Sequence, residues 1–353
     1  MKNKNASLRF FLKEYFSSSV MALCVGIGLS ILVLVVFSGR SFSSASDFFV
    51  GVFTSSFYMG SLLNTASLLM WASVGASFAM ASGNLNLGGE GQIYLAGFLS
   101  ALILGMTDIL PGFFRVILAF LVAIISGALC AFIPALLKRY RGSSELLTSF
   151  LFSAATIPLV DAAIVGSFRD SRGNLMATPS VPEWLRLKSI WPPSAMNSSF
   201  FVAIVFCVTC AFVLYKTVFG KKLCICGKSP LFARYAGFSV ENASLIGMCF
   251  SGAFHGLTGF FAIWGTYYTC HSGFYNGMGW NALSCALIAR SNPLAVMPAS
   301  LLLAWIFTAA DRAAMVNGFA FDMESLIQGA ILFFISANFF GKELFFLKKR
   351  KLR

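Results

Sequence analysis

The sequence predicts an all-α polytopic membrane protein of about ten transmembrane helices. Three observations carry that expectation. Of 353 residues, 58% are hydrophobic and 11% charged, where a soluble domain carries about 25% charged residues; the mean hydropathy is +0.81. Apolar runs of about 18 or more residues follow one another, each long enough to cross a bilayer. The Lys and Arg residues behind the net charge of +13 gather at the ends of these runs. That is the positive-inside pattern, not a basic face for nucleic acid, so no nucleic-acid partner is expected.

Lys2, Lys4, Arg9 and Lys13 precede the first run, and no small-residue cleavage site follows closely. Residues 1–19 therefore read as a basic cytoplasmic tail ahead of an uncleaved span, about Val20–Ser38. Residues 41–58 mix Ser and Phe around Asp47 and read as an interfacial segment outside. The second span is about Ser61–Ser82 and returns inward. The third, about Gln92–Met106, is short. Asp108 and Pro111 mark the outer turn, and the fourth span, about Phe113–Leu137, stops at Lys138, Arg139 and Arg141. Ser143, Ser144 and Glu145 read as a helix start, opening a fifth span of about Glu145–Gly166. Pro179, Pro182, Pro192 and Pro193 make the next segment an outer loop, although it also holds Arg169, Arg172, Arg186 and Lys188. The sixth span, about Phe200–Val218, runs inward to a basic polar loop of about 220–242. The seventh, about Ala243–Gly265, carries Gly252-x-x-x-Gly256, which lets another helix approach closely. The eighth, about Met278–Arg290, is short; the ninth, about Pro293–Ala310, starts on a Pro suited to a first helical position. The tenth is about Met323–Phe340, and 341–353 is a second basic tail. Ten spans place both termini in the cytoplasm around one transmembrane domain, 20–340. With the third and eighth segments re-entrant, the count is eight.

The chain is organised around Gly83–Gln92, where two Asn, one Glu, one Gln and four Gly interrupt near-continuous hydrocarbon. An acidic side chain at bilayer depth costs about 2.5–3.5 kcal/mol on insertion scales, against about 0.3–0.6 kcal/mol returned by each Leu or Phe. Such a cluster persists only where it faces protein or water. We read it as a packed, broken-helix element beside a translocation path. Asn84, Asn86, Glu90, Gln92 and, near the outer end of the fifth span, Asp161 are the candidate path residues. The amides suit a polar uncharged solute, and they also suit capping and packing of the flanking helices. Glu145 reads as a helix-start acid and His255 as a packed side chain. The nine Cys are expected as free thiols. Cys224-x-Cys226 lacks the spacing and partners of a zinc site, and no cofactor or metal is expected. No His, Ser or carboxylate cluster marks an enzyme. Gly227-Lys228-Ser229 imitates the end of a phosphate-binding loop, but Lys222 stands where the first Gly belongs, so ATP binding by this chain is excluded.

Asn86-Leu87-Gly88-x-Glu90-Gly91-Gln92 resembles the Asn-Ile-Gly-x-Glu-Gly-Gln signature of permeases of nucleoside-type ABC importers, within the broad ribose and branched-chain amino acid permease group. Three further stretches match in the same order. They are Ser144-Glu145-Leu146-Leu147-Thr148-Ser149, then Gly227-x-x-Pro230-x-x-Ala233-Arg234-Tyr235-Ala236-Gly237 followed by Ser251-Gly252-Ala253, and Leu287-x-x-Arg290-x-Asn292-Pro293-Leu294. Departures are Ser144 and Ser149 for Asn and Thr, Lys228 and Ser229 in the coupling loop, and His255 at a position usually small. The resemblance implies a type II importer-like permease fold in the bacterial inner membrane, and a transport subunit rather than an enzyme. It implies a nucleoside-like solute moved inward, with riboflavin or a simple sugar as the alternatives. Its partners would be a separate ABC ATPase, a second permease chain in a heterodimer, and a periplasmic or lipoprotein solute-binding protein, with lipid around the spans. Pro230, Arg234, Tyr235 and Gly237 would form the ATPase-coupling surface. An ion-coupled secondary transporter is the competing class; it needs buried acids, and Glu90 and Asp161 are its candidates.

Overall fold

The computed structural model describes residues 50–106 and 110–317, with positions 28, 48, 325 and 329–333. The predicted spans Val20–Ser38 and Met323–Phe340, Asp108 and both basic tails lie wholly or mainly outside the described residues. Described helices are α1 (Ser56–Ala81), α2 (Gly89–Met106), α3 (Gly112–Arg141), α4 (Glu145–Val165), α5 (Ser199–Lys216), α6 (Val218–Lys228), α7 (Pro230–Tyr235), α8 (Val240–Ala262), α9 (Met278–Ile288) and α10 (Pro293–Asn317). A π-helical turn, Ile263–Tyr267, extends α8. Among the described residues six helices are long and apolar enough to cross a membrane: α1, α3, α4, α5, α8 with its extension, and α10. The described cysteines are free thiols.

The chain divides into two compact units, one of Met1–Tyr58 with Trp305–Arg353 and one of Met59–Ala304. In the first, Phe48 meets Trp305 edge-on at 6.3 Å and the Arg312 guanidinium lies 5.6 Å from the Tyr58 ring. The second contains every element of the site below.

Burial separates central from peripheral helices. The apolar windows of α1 and α8 are 89% and 78% buried, against 28% for α4 and 33% for α3 and α5. The reason is small residues. A Cβ on Gly252 would overlap the Gly127 carbonyl of α3, and one on Gly256 the Ala123 carbonyl. On the next turn Gly259 rests against the Ile93 carbonyl of α2. The glycine pair read from the sequence is thus half of a seam along which α3 and α8 touch backbone to backbone.

Two helices start inside the bundle. Gly83 (φ +79°) turns the chain at the foot of α1. Residues 84–88 then climb α8 without helical structure: Asn84 bonds Ser244, Asn86 bonds Ser251, and Gln92 meets His255. His255 is about 15 residues, or roughly 22 Å, into α8 at 1.5 Å per residue. Accordingly α2 begins about halfway along α8. α9 does the same from the other side. Gly273 lies at Tyr94, the chain descends to Gly277, and a Cβ on Gly279 would press on Glu90 N and Cγ. The short third and eighth segments are helices whose N-termini meet; residues 84–88 before the first are buried or partly buried, while Ser272, Gly273 and Asn276 before the second are exposed.

The predicted polar loop of 220–242 is instead mostly helical. Gly220, Leu223 and Cys226 are buried at three-residue spacing, Thr217 caps the start through Gly220 N, and Gly220 sits against the Val213 and Leu214 backbone. Lys221, Lys222 and Lys228 masked this face in the sequence. The Pro-rich segment expected outside behaves as a loop, tied by isolated bridges Ala177–His271 and Ser189–Asn197 and by a 3₁₀ turn at Glu183–Leu185. Two of its cations are locally occupied. Arg172 bonds Asp170 at 2.9 Å and holds that carboxyl below its ordinary range. Arg186 lies 4.8 Å from the Tyr268 ring and donates to the Val181 carbonyl.

Candidate functional site

The Gly83–Gln92 element is held by a buried amide network. Asn86 Oδ1 accepts from Gly88 N at 2.9 Å and from Gln92 Nε2 at 3.1 Å. Asn86 Nδ2 donates to Gln92 Oε1 and to Ser251 Oγ, each at 2.9 Å. Gln92 Oε1 also lies 2.7 Å from His255 Nδ1; an amide oxygen accepts only, so that ring nitrogen carries the proton. Asn86, Gln92 and His255 are all buried. They brace the start of α2 and face protein.

Asn84 is also buried and lies apart from these three, at the basic end of the bundle. Its Oδ1 accepts from Lys138 Nζ and from Ser244 Oγ, both at 2.7 Å. Lys138 in turn pairs with Glu145, in the first turn of α4, at 3.0 Å. One amide therefore links α1, α3 and α8, and through Lys138 the start of α4. Beside it opens a cavity of about 440 Å³ lined by Gly83, Lys138, Arg139, Cys226, Arg234 and Glu241 among others.

Glu90 and Asp161 differ from the amides in being only partly buried. Glu90 is in the first turn of α2, and its carboxylate also faces the backbone of Gly277 and Trp280 at the start of α9. Two helix N-termini thus present partial positive charge to one acid. Its Oε1 is buried without a hydrogen-bond partner. One turn along α2, Tyr94 Oη donates to Asp161 Oδ1 at 2.5 Å, and Ser272 Oγ donates to the same oxygen at 2.6 Å. Asp161 thereby ties α4 to α2 and to the descending loop.

α4 is fastened to the element by hydroxyls. Ser149 Oγ accepts from Leu87 N at 3.1 Å and Ser153 Oγ from Gly91 N at 2.8 Å. The stripe Ser149, Ser153, Thr156, Val160 and Ile164 is the buried face of α4. Sequence reasoning noted Ser149 only as a departure from a family motif and Lys138 only as a charge ending a span, and it missed Ser153, Tyr94 and Ser272; the helical spacing of hydroxyls in an apolar span was the signal for Ser153. Ser153→Val is expected to lower the melting temperature of the purified protein more than Ser149→Ala does. It strands the buried Gly91 N–H, at a cost of about 1–3 kcal/mol, whereas the Ser149 bond is only partly buried.

α7 carries the predicted coupling residues. Pro230 is its first residue, Arg234 and Tyr235 close it, and Gly237 follows at φ +78°. Only Ala233 of this helix is buried. Leu231, Phe232 and Tyr235 are exposed, Tyr235 to 92%. Arg234 bonds Glu241 of α8 at 2.6 Å. The structure brings these four together on one short helix and its turn, away from Glu90 and Asp161.

A family model described as the permease component of branched-chain amino acid transport systems matches residues 58–336. The "Probable riboflavin import permease protein" of Treponema pallidum is 36% identical over 91% of this chain and 85% of its own length. The guanosine ABC transporter permease protein of Bacillus subtilis is 25% identical over 91% of this chain and 92% of its own. The nucleoside ABC transporter permease protein of Lactococcus lactis is 25% identical over 91% and 90%. The chain belongs to the family of permease components of branched-chain amino acid transport systems.

Proposed function

We propose that this permease is the membrane subunit of an ATP-driven importer in the bacterial inner membrane. It carries a ring-bearing polyol, a flavin first and a nucleoside second, toward the side marked by Lys138, Arg139 and Arg234. The order of solutes follows the relatives: the 36% identical one is named for riboflavin, those at 25% for guanosine and nucleosides. The path runs past Glu90 and Asp161, the partly buried acids where α2, α4 and α9 converge. Asn84, Asn86 and Gln92 act one layer behind, fixing the backbone that forms the path. A solute-binding protein delivers the solute, a second permease chain completes the path, and an ATPase on a separate chain drives the cycle.

The observation that carries this reading is α7. A six-residue helix with Leu231, Phe232 and Tyr235 exposed beside Arg234 suits a cleft on a partner, and the chain has no phosphate loop of its own. Arg234→Ala with Tyr235→Ala is expected to cut co-purification of the ATPase subunit at least tenfold while leaving this chain folded and membrane-inserted. Undiminished co-purification would place the ATPase contact elsewhere. The ion-coupled alternative rests on Glu90 and Asp161 alone, and family membership gives it no support.

A further inference from the structure

Beside the buried stripe of α4 runs a second, open one. Phe150, Ala154, Ile157 and Asp161 follow at four-, three- and four-residue steps, so they share one face. Phe150 and Ala154 are exposed, Ile157 and Asp161 partly so. Opposite stands the start of α9, where Trp280 is partly exposed and its ring lies 6.2 Å from that of Phe150. Tyr275 lies 4.8 Å from the Tyr94 ring and within electrostatic range of both Glu90 and Asp161. Its hydroxyl has no hydrogen-bond partner among the described residues.

Three properties coincide here. Aromatic side chains from two elements, Phe150 and Trp280, meet beside a stripe that continues one turn along α4 with Ala154, its smallest residue. A buried carboxylate oxygen, Glu90 Oε1, lacks a donor. About one helical turn away, a hydroxyl–carboxylate cluster of Tyr94, Asp161 and Ser272 is already arranged to exchange hydrogen bonds. Aromatic faces bind planar rings by stacking. An unfilled carboxylate oxygen wants an N–H or O–H donor.

We propose that this stripe is a two-part solute subsite with a fixed polarity. A planar uncharged heterocycle stacks on Trp280, with Phe150, inclined at 56° to it, closing one edge, and sets a ring N–H on Glu90 Oε1. The hydroxylated chain or sugar attached to it lies toward Tyr275, Tyr94 and Asp161. The subsite discriminates a ring-plus-polyol solute from a polyol or sugar alone. This rests on the importer reading above and adds to it the residues that select the solute.

The test uses the complete transporter in proteoliposomes and compares riboflavin and guanosine with ribitol and ribose. Trp280→Leu and Phe150→Leu are expected to raise the half-saturating concentration of the ring-bearing solute at least tenfold. Trp280→Phe is expected to restore most of it, and Leu159→Ala, on another face of α4, to change nothing. Riboflavin fluorescence is expected to be quenched on binding and the quenching lost in Trp280→Phe. Wild-type saturation behaviour in Trp280→Leu and Phe150→Leu would overturn the subsite and leave the importer intact. So would release of the second permease chain by these variants, since the face would then be a subunit contact. No ATP-dependent uptake of any solute by the wild-type complex would overturn the importer reading and the subsite together.

Discussion

Replacing Gly256 by Leu is expected to abolish accumulation of folded protein in the membrane. No side chain fits between Gly256 and the Ala123 carbonyl, and the same holds at Gly252 against Gly127. A flexible neighbour yields to overpacking at about 1–3 kcal/mol. Here the obstacle is the backbone of α3, so α3 and α8 must separate along their whole seam. That seam also positions Ser251 and His255, the α8 partners of the Gly83–Gln92 element. Gly256→Ala is expected to lower the melting temperature and retain some folded protein. Size-exclusion profiles and thermal unfolding of detergent-purified variants would show the gradation. Normal yield and stability of Gly256→Leu would mean that the seam does not hold α8.

Asn86→Leu is expected to have the second largest effect. It removes an acceptor from Gly88 N and Gln92 Nε2 and a donor from Gln92 Oε1 and Ser251 Oγ. Each buried group left without a partner costs about 1–3 kcal/mol, and losses in one network do not simply add. Without the bond to Ser251, the start of α2 loses its fixed height on α8, and Glu90 loses its place against Gly277 and Trp280. Transport is therefore expected to fall further than stability does. His255→Leu is expected to be milder, because Gln92 Oε1 keeps its bond from Asn86. Equal transport losses in the two variants would indicate that His255 sets the position of the element as much as Asn86 does.

Much of this was legible in the sequence. Ser144 and Glu145 marked the start of α4, Pro293 that of α10, and the glycines of α8 announced a close helix contact. The Gly83–Gln92 stretch identified itself because polar groups are costly in hydrocarbon. Other features were hidden for physical reasons. The length of an apolar run does not say where along its neighbours it starts, so the starting points of α2 and α9 needed their contacts with α8 and Glu90. The bond between Asn84 and Lys138 could not be read ahead, because Lys138 lies 54 residues on and reads in sequence only as a topological charge. The helix of Val218–Lys228 was concealed by lysines around a narrow buried face.

The most direct test of the importer reading is ATP hydrolysis in proteoliposomes holding this chain, its second permease chain, the ATPase and the solute-binding protein. Riboflavin or guanosine is expected to stimulate hydrolysis and to accumulate inside, with both effects lost when Arg234 and Tyr235 are replaced by Ala. Failure of any ATPase to associate, with labelled solute following an imposed proton or sodium gradient instead, would contradict it.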